Sequence, residues 1–419
     1  MGLYLIFILL QYLSNIYVMD MTEVDHRKIG KQLDLFSINE DAGPGLPLFH
    51  PKGTIILNIL RDFWEEEHKK AGYVFVNTPN IYKSNTWQIS GHWDYFKENM
   101  FITKKEDEEY AIKPMNCPGH MFIYKSSKKS YRDLPIRMGE MGTVYRNELS
   151  GNLTGLFRVV KITQDDAHIF CTENQVESEI IRIIDLTLSM YKVFGFKDVK
   201  IELSTKPEKA VGSNEIWEMA EGILKKVLEE KKMKYELNEG DGAFYGPKID
   251  FHIKDSTGKT WQCGTIQLDF NLPERFNLKY AGEDNTEHQP IMIHRVIYGA
   301  LERFFGILIE HYNGDFPTWL APVQVRILSF TDRNIEYSKK ISEGLKKFGI
   351  RVDEDYESNT MSSKVMDAEL QKIPYIITCG DKEEEKETLA IRGRNGKVKF
   401  NVKPEDFIEQ ILEEIKEKK

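Results

Sequence analysis

The stretch RNELSGNLTGLFRVVKITQDDAHIF, residues 146–170, decides the fold. It reads as two strands joined by a loop. The first strand ends near Arg146–Glu148, and residues 149–155 carry the turn-formers Ser150, Gly151, Asn152 and Gly155. The second strand starts near Leu156 and runs past Arg158 to Gln164, Asp166 and His168. Side chains alternate along a strand, so these four residues share one parity and one face. A guanidinium, an amide, a carboxylate and an imidazole in a row do not make a core; they make the floor of a polar site. The planar, permanently charged fork of Arg suits a phosphate. Alone, such a hairpin is more often a solvated sheet edge, so its weight rests on agreement with the rest of the chain.

At 419 residues the chain has room for two or three domains. Its 41% hydrophobic and 29% charged content describe a soluble globular protein. The net charge of −9 excludes nucleic-acid binding by a bulk positive field, so any RNA contact uses local basic patches. Four scattered cysteines without a C-x-x-C pair favour a reducing compartment over a disulfide framework. Residues 1–24 stand apart. The apolar run 2–18 has no basic residue before it and no small-residue cleavage site after it, and it is short and interrupted for a membrane span. It reads as an atypical leader or a mis-assigned start, with an anchor as the minority alternative.

Outward from the hairpin, Ile56, Ile59, Leu60, Phe63 and Trp64 form one helix face that Gly72 stops, and a short strand follows to Pro79. KPMNCPGH, residues 113–120, reads as a tight loop around Cys117, in which His120 is equally a turn residue. Thr172 and Gln175 make a capping box before a helix striped by Val176, Ile180, Ile183, Ile184, Leu188 and Tyr191. A strand over 199–204 and a helix from Ser213 follow. The glycine-rich 240–251 feeds a strand but lacks P-loop spacing. Residues 261–270 alternate as a strand, and 290–305 run from strand to helix through Gly299. Residues 316–323 read as extended linker. Beyond them, strand–helix–strand alternation and a last helix from Pro404 predict a small α/β domain with a mixed or parallel sheet.

The hairpin resembles motif 2 of the class II aminoacyl-tRNA synthetases, and its T-Q-D-D-A-H ending is similar to that of threonyl-tRNA synthetases. The helix and strand around 56–77 resemble motif 1, and G-A-L-E-R, ending at Arg303, resembles motif 3. D-H-R-K-I-G-K at residues 25–31 is similar to the segment that follows the editing domains in that family, and the resemblance covers nearly all of 25–419. It implies an α+β fold: a class II antiparallel-sheet catalytic domain over 25–318, a linker over 319–323 and an α/β anticodon-binding domain over 324–419. It further implies a cytoplasmic, homodimeric threonine–tRNA ligase with no membrane association. Such an enzyme makes threonyl-adenylate from threonine and ATP and transfers the acyl group to tRNA(Thr).

Sequence spacing by itself would not unite Cys117, His168 and His294. The resemblance does, as the ligands of one Zn²⁺ per subunit with an open position for substrate. Such a position would take the amino group and hydroxyl of threonine together, which rejects valine, with Asp166 accepting from the hydroxyl. By the same resemblance, Arg146, Arg303 and His92 are catalytic. Arg146, Glu148, Arg158, Ile162, Gln262 and Arg303 bind ATP, which brings Mg²⁺. Met115, Gln164, Asp166, Tyr245, Lys248 and Gln267 line the amino-acid site, and Glu383 and Arg392 read the anticodon. Ile162 departs from the aromatic that family members stack on adenine. The segment 358–370 is poorer in basic residues than its counterpart. With almost nothing before residue 25, the expectation is a form without editing domains, mischarging serine and served by a separate deacylase. The alternatives are a prolyl-type class II synthetase and an RNA-binding paralogue without aminoacylation activity.

Overall fold

A computed structural model describes residues 24–419; the apolar leader falls outside the described residues. The hairpin is the middle of an eight-stranded sheet. In chain order its strands are β1 (Val74–Phe75), β2 (Ile136–Tyr145), β3 (Lys161–Cys171), β4 (Val199–Ser204), β5 (Glu236–Asn238), β6 (Lys248–Lys254), β7 (Thr260–Asp269) and β8 (Ile291–Val296). Their spatial order is β5-β4-β6-β7-β8-β3-β2-β1. All neighbours pair antiparallel except the two edges, β5 on β4 and β1 on β2.

Strand parity divides the sheet into a core face and a site face. Ala167 and Ile169 of β3, Ile266 and Leu268 of β7, and Ile291 and Ile293 of β8 are buried in the main core. The alternate residues Gln164, Asp166, His168, Thr265, Gln267 and His294 turn to the other side, where they line a cavity. Helices cover the core face. They are α1 (His26–Gln32) and α2 (Pro51–Lys70), then, after α3 (Cys117–Lys125), α4 (Val176–Val193), α5 (Asn214–Glu230) and α6 (Leu301–His311). Pro51 stands in the first turn of α2, where its missing N–H costs nothing. The capping box before α4 forms, with Thr172 donating its N–H to Gln175 Oε1 at 3.0 Å. The Ser213 hydroxyl caps α5.

Residues 325–416 hold a second sheet. Its strands are β9 (Val325–Ser329), β10 (Val352–Asp355), β11 (Tyr375–Cys379), β12 (Leu389–Gly393) and β13 (Val398–Val402), in the spatial order β10-β9-β11-β12-β13. The first three are parallel and the last two antiparallel, so the sheet is mixed. With it pack α7 (Ile335–Lys346), α8 (Met361–Leu370) and α9 (Pro404–Lys416). No helix among the described residues is long and apolar enough to cross a membrane.

Three expectations need correction. The second hairpin strand begins at Lys161, not Leu156, because Phe157 and Arg158 turn back on the Thr154 carbonyl and Val160 donates to Gly45. Cys117 does not sit inside a loop; it is the first residue of α3, with Pro118 in the opening turn. Residues 316–323 are not an extended linker. Leu320 and Ala321 donate back to Pro317, and Trp319 packs on the rings of Phe63 and Phe194.

Candidate active site

The site face closes a cavity of about 440 Å³. Met115 and Cys117, at the entry to α3, form one wall; Glu148, Arg158 and Arg303 lie toward the other end, and Arg146 stands between, against the Pro114 carbonyl. Gln262 joins them although its even number opposes Thr265 and Gln267. A bulge in the β6/β7 pairing sets His252 against Gln262 and Phe251 against Gly264, which skips Cys263 and changes the parity.

Cys117, His168 and His294 are buried, and their ligand atoms lie within 4.8 Å of one another. The hydrogen bonds around them fix which ring nitrogens are bare. His120 Nε2 donates to the Glu140 carboxylate at 3.1 Å, which leaves its Nδ1 to accept from His168 Nδ1 at 2.9 Å. His294 Nε2 donates to Asp269 at 2.9 Å. His168 Nε2 and His294 Nδ1 are then both without a proton, yet they face each other at 3.0 Å. Two lone pairs and a nearby thiol, each imidazole backed by a hydrogen bond on its far nitrogen, are a donor set that fits a zinc ion. Without a cation, burial pushes the Cys117 thiol well up and the His168 imidazole well down; a bound cation removes the thiol proton outright. Tyr245 stacks on the His294 ring, with centroids 4.7 Å apart, and donates its hydroxyl to Gln267 Oε1 at 2.5 Å. Asp166, whose carboxyl burial raises, accepts from Asn116 at 3.1 Å.

At the other end Arg158 is bound to Glu148 at 2.8 Å, and Arg303 donates to the Phe157 carbonyl at 2.7 Å. Arg146 reaches the Pro114 carbonyl at 3.4 Å and lies over the Phe96 ring. Ile162 joins Val144, Val159 and Ala300 in a small apolar patch on the cavity wall. Beneath it Asp165 ties three elements together. Its carboxylate accepts from Trp64 Nε1 on α2 and from the N–H groups of Ile297, Tyr298 and Gly299 before α6. Gly299 has φ +77°, and a Cβ there would stand 2.7 Å from the Cys263 carbonyl. A glycine is required at that turn.

The structure therefore brings together Met115, Cys117, Arg146, Glu148, Arg158, Ile162, Gln164, Asp166, His168, Tyr245, Gln262, Gln267, His294 and Arg303. Two expected residues are not among those that line the cavity. Lys248 is paired with Asp241 and Asp250, the latter also holding Gln262. His92 is buried, between Ser90 Oγ at 2.7 Å and Met115 Sδ at 2.9 Å, and burial takes its pKa down to about 3. Glu383 lies in a short helix, Asp381–Lys386, and accepts the Gly380 N–H; Arg392 lies in β12 near Glu369. Sequence reasoning missed His120, Glu140 and Asp269. The P-G-H signal was present for His120, but nothing local pairs it with β2 or β3.

Residues 98–312 match the tRNA synthetase class II core domain (G, H, P, S and T), and residues 324–414 match the Anticodon binding domain. Fold and site together define a class II aminoacyl-tRNA synthetase. Over 394 residues, 94% of this chain, the sequence is 55% identical to the threonine–tRNA ligase of Clostridium botulinum. The solved RNA binding domain of threonyl-tRNA synthetase from Cryptosporidium parvum superposes with a TM-score of 0.90 at 38% identity, over 93% of this chain and 98% of that one. Prolyl-tRNA synthetase from the same organism shares the fold at 17% identity, with a TM-score of 0.70 over 94% of this chain and 75% of that one. The chain belongs to the threonyl-tRNA synthetase family, and it spans 62% of the length of the curated relative from C. botulinum.

Proposed function

We propose that this chain activates threonine with ATP and transfers it to tRNA(Thr). The observation that carries the reading is that the Cys117/His168/His294 donor set and the arginines Arg146, Arg158 and Arg303 open into one cavity. In the first step a threonine carboxylate oxygen attacks the ATP α-phosphorus, the bond to the β-phosphate oxygen breaks, and pyrophosphate leaves with its Mg²⁺. Arg146 neutralises the α-phosphate and the attacking carboxylate. Arg158 and Arg303 take the outer phosphates, which means Glu148 exchanges its ion pair with Arg158 for the adenine amino group. The Ile162 patch covers the adenine ring, and Gln262 faces the nucleotide. The work of these groups is positioning and charge stabilisation.

At the other end Cys117, His168 and His294 would hold the zinc ion. When bound, it supplies an open position for the amino group and hydroxyl of the substrate. Asp166 accepts from the hydroxyl, while Gln164, Gln267, Tyr245 and Met115 shape the pocket. Lys248 braces Asp250 and, through it, Gln262. His92 acts through Met115 on the wall near the terminal ribose. Glu383 and Arg392 meet the anticodon. The catalytic unit runs over 25–318 and the anticodon unit over 324–419, in a cytoplasmic homodimer.

This pocket rejects valine, which would leave polar groups unpaired, by roughly 10⁴–10⁵. Serine lacks only a methyl group, so the same pocket rejects it by only roughly 10–200-fold, and charged serine must be removed at another site, such as that of a separate deacylase. Zinc content and amino-acid-dependent ATP–pyrophosphate exchange test this. The expected result is one zinc per chain, exchange with threonine, weaker exchange with serine and almost none with valine. Exchange with proline, or no exchange by folded, zinc-loaded protein, would sink the reading.

A further inference from the structure

The D-H-R segment that opens the first domain has no part in the mechanism above, yet its histidine is built into the fold. His26 is 2% exposed, and three elements meet on it. Its Nδ1 donates to Glu310 Oε1 on α6 at 2.9 Å, and its own backbone N–H reaches the same oxygen at 3.1 Å. Its Nε2 is left to accept, and takes the Leu156 N–H at 3.0 Å. Its ring packs on Phe157 with centroids 4.0 Å apart, and Phe157 packs in turn on Trp261 at 4.0 Å. The Glu310 carboxylate is held on its far side by Lys259 at 3.1 Å. Both ring nitrogens and one ring face are thus engaged, and the tautomer is single.

What His26 holds is the arm of the hairpin that delivers Arg158. That arm is loop, not strand, so the sheet does not set its position. Gly155 fits the contact closely. It has φ +49°, and a Cβ there would fall 2.2 Å from His26 Nε2. The next residue but one, Phe157, offers its carbonyl to Arg303. One imidazole therefore fixes the backbone leading into Arg158 and the acceptor that orients Arg303.

We propose that His26 is a positioning residue for the nucleotide end of the cavity, holding Arg158 and Arg303 where the outer phosphates of ATP arrive. This rests on reading that end as the ATP site. The amino-acid end lies on strands that do not touch His26, so loss of the imidazole should act on ATP selectively. In pyrophosphate exchange, His26→Ala should raise the KM for ATP by about tenfold, with the KM for threonine and the zinc content within about twofold of the parent. His26→Gln, whose amide oxygen can accept the Leu156 N–H, should recover part of the loss. Glu310→Gln keeps an acceptor for Nδ1 and disturbs the fold less; it should shift the KM for ATP about two- to threefold in the same direction. An unchanged KM for ATP in whichever variants fold, or equal rises in both KM values, overturns the proposal. Parent protein that shows no ATP-dependent exchange overturns the ATP reading beneath it, which is a separate result.

Discussion

At the level of single residues, the deciding feature is which nitrogen of each imidazole carries the proton. His168 offers a bare Nε2 to the pocket because its Nδ1–H donates to His120 Nδ1, and that nitrogen can accept because His120 carries its proton on Nε2, donated to Glu140. Lys113 and Thr78 hold Glu140 in turn, at 3.4 Å and 2.9 Å, and all of these residues are buried. A group that sets the tautomer of a metal ligand commonly accounts for about 10–100-fold in metal affinity. His120→Ala should therefore weaken zinc binding by about that factor, measured by competition with a chromogenic chelator, and Glu140→Gln should give a smaller loss in the same direction. Zinc affinity equal to the parent in both variants would show that His168 is oriented without them. The three proposed ligands are legible in the sequence only through their family contexts. Residues 117, 168 and 294 have no spacing that suggests a site, since antiparallel pairing, not local sequence, sets His168 opposite His294. His120 had less to show still, because its partners sit on strands 20 and 48 residues away.

Secondary-structure elements were legible where their burial is one-sided. The stripes of α2, α4 and α5 each face the main core, and β4 has the bounds that its alternation predicts. Elements whose buried face is polar were not. The buried face of α8 sets Lys364, whose ammonium donates to the carbonyls of Ser329 and Asp355, among Met361, Val365 and Ala368, so a charge interrupts its apolar stripe. The start of β3 was misplaced for a related reason: Val159 and Val160 are good strand formers, but the Val160 N–H finds Gly45 instead of the sheet. Within α2 one buried residue makes a prediction about acid stability. His68 stacks on Trp64 with centroids 4.1 Å apart, donates Nδ1–H to the Trp64 carbonyl, and has no partner at Nε2 among the described residues. Burial, and secondarily Arg295, lowers its pKa from 6.5 to about 2. The fold thus holds it neutral while the unfolded chain protonates below pH 6.5, so its contribution to stability is lost as pH falls from there toward 2. By pH 5.5 that loss is about 1 kcal/mol relative to pH 7. Urea unfolding of a His68→Phe variant should show a pH 7 to 5.5 decline smaller by that amount. An identical decline in parent and variant would mean that the imidazole already protonates in the folded state.

For the whole molecule, the function proposed above requires the large sheet and the C-terminal sheet to be held so that one tRNA meets both. The join is ordered chain. Arg351, at the entry to β10, donates to the carbonyls of Ala321 at 2.8 Å and Trp319 at 2.7 Å, and the Trp319 N–H reaches the Lys419 carbonyl at 3.2 Å. Thr318 bonds Glu414 of α9 at 3.0 Å, and Asp315 pairs with Arg394 at 3.2 Å. Away from the join, Lys52 of α2 meets Gln371 just past α8 at 2.8 Å. None of this is legible in F-P-T-W-L-A-P-V, which shows its prolines and not the carbonyls that bind Arg351. Arg351 touches only backbone of the join and lies outside the cavity, so it separates the two half-reactions. On the proposed function, adenylate formation would need the first domain alone and transfer to tRNA would need both domains in register. Arg351→Met keeps the buried aliphatic stem and removes the donors. It should leave ATP–pyrophosphate exchange within about twofold while raising the KM for tRNA in aminoacylation roughly tenfold, equivalent to about 1.4 kcal/mol of lost orientation. Limited proteolysis should at the same time open a new cut within 316–323. If exchange and aminoacylation fall together, Arg351 supports the fold as a whole; if neither changes, the remaining contacts across the join suffice to fix the anticodon domain against the active site.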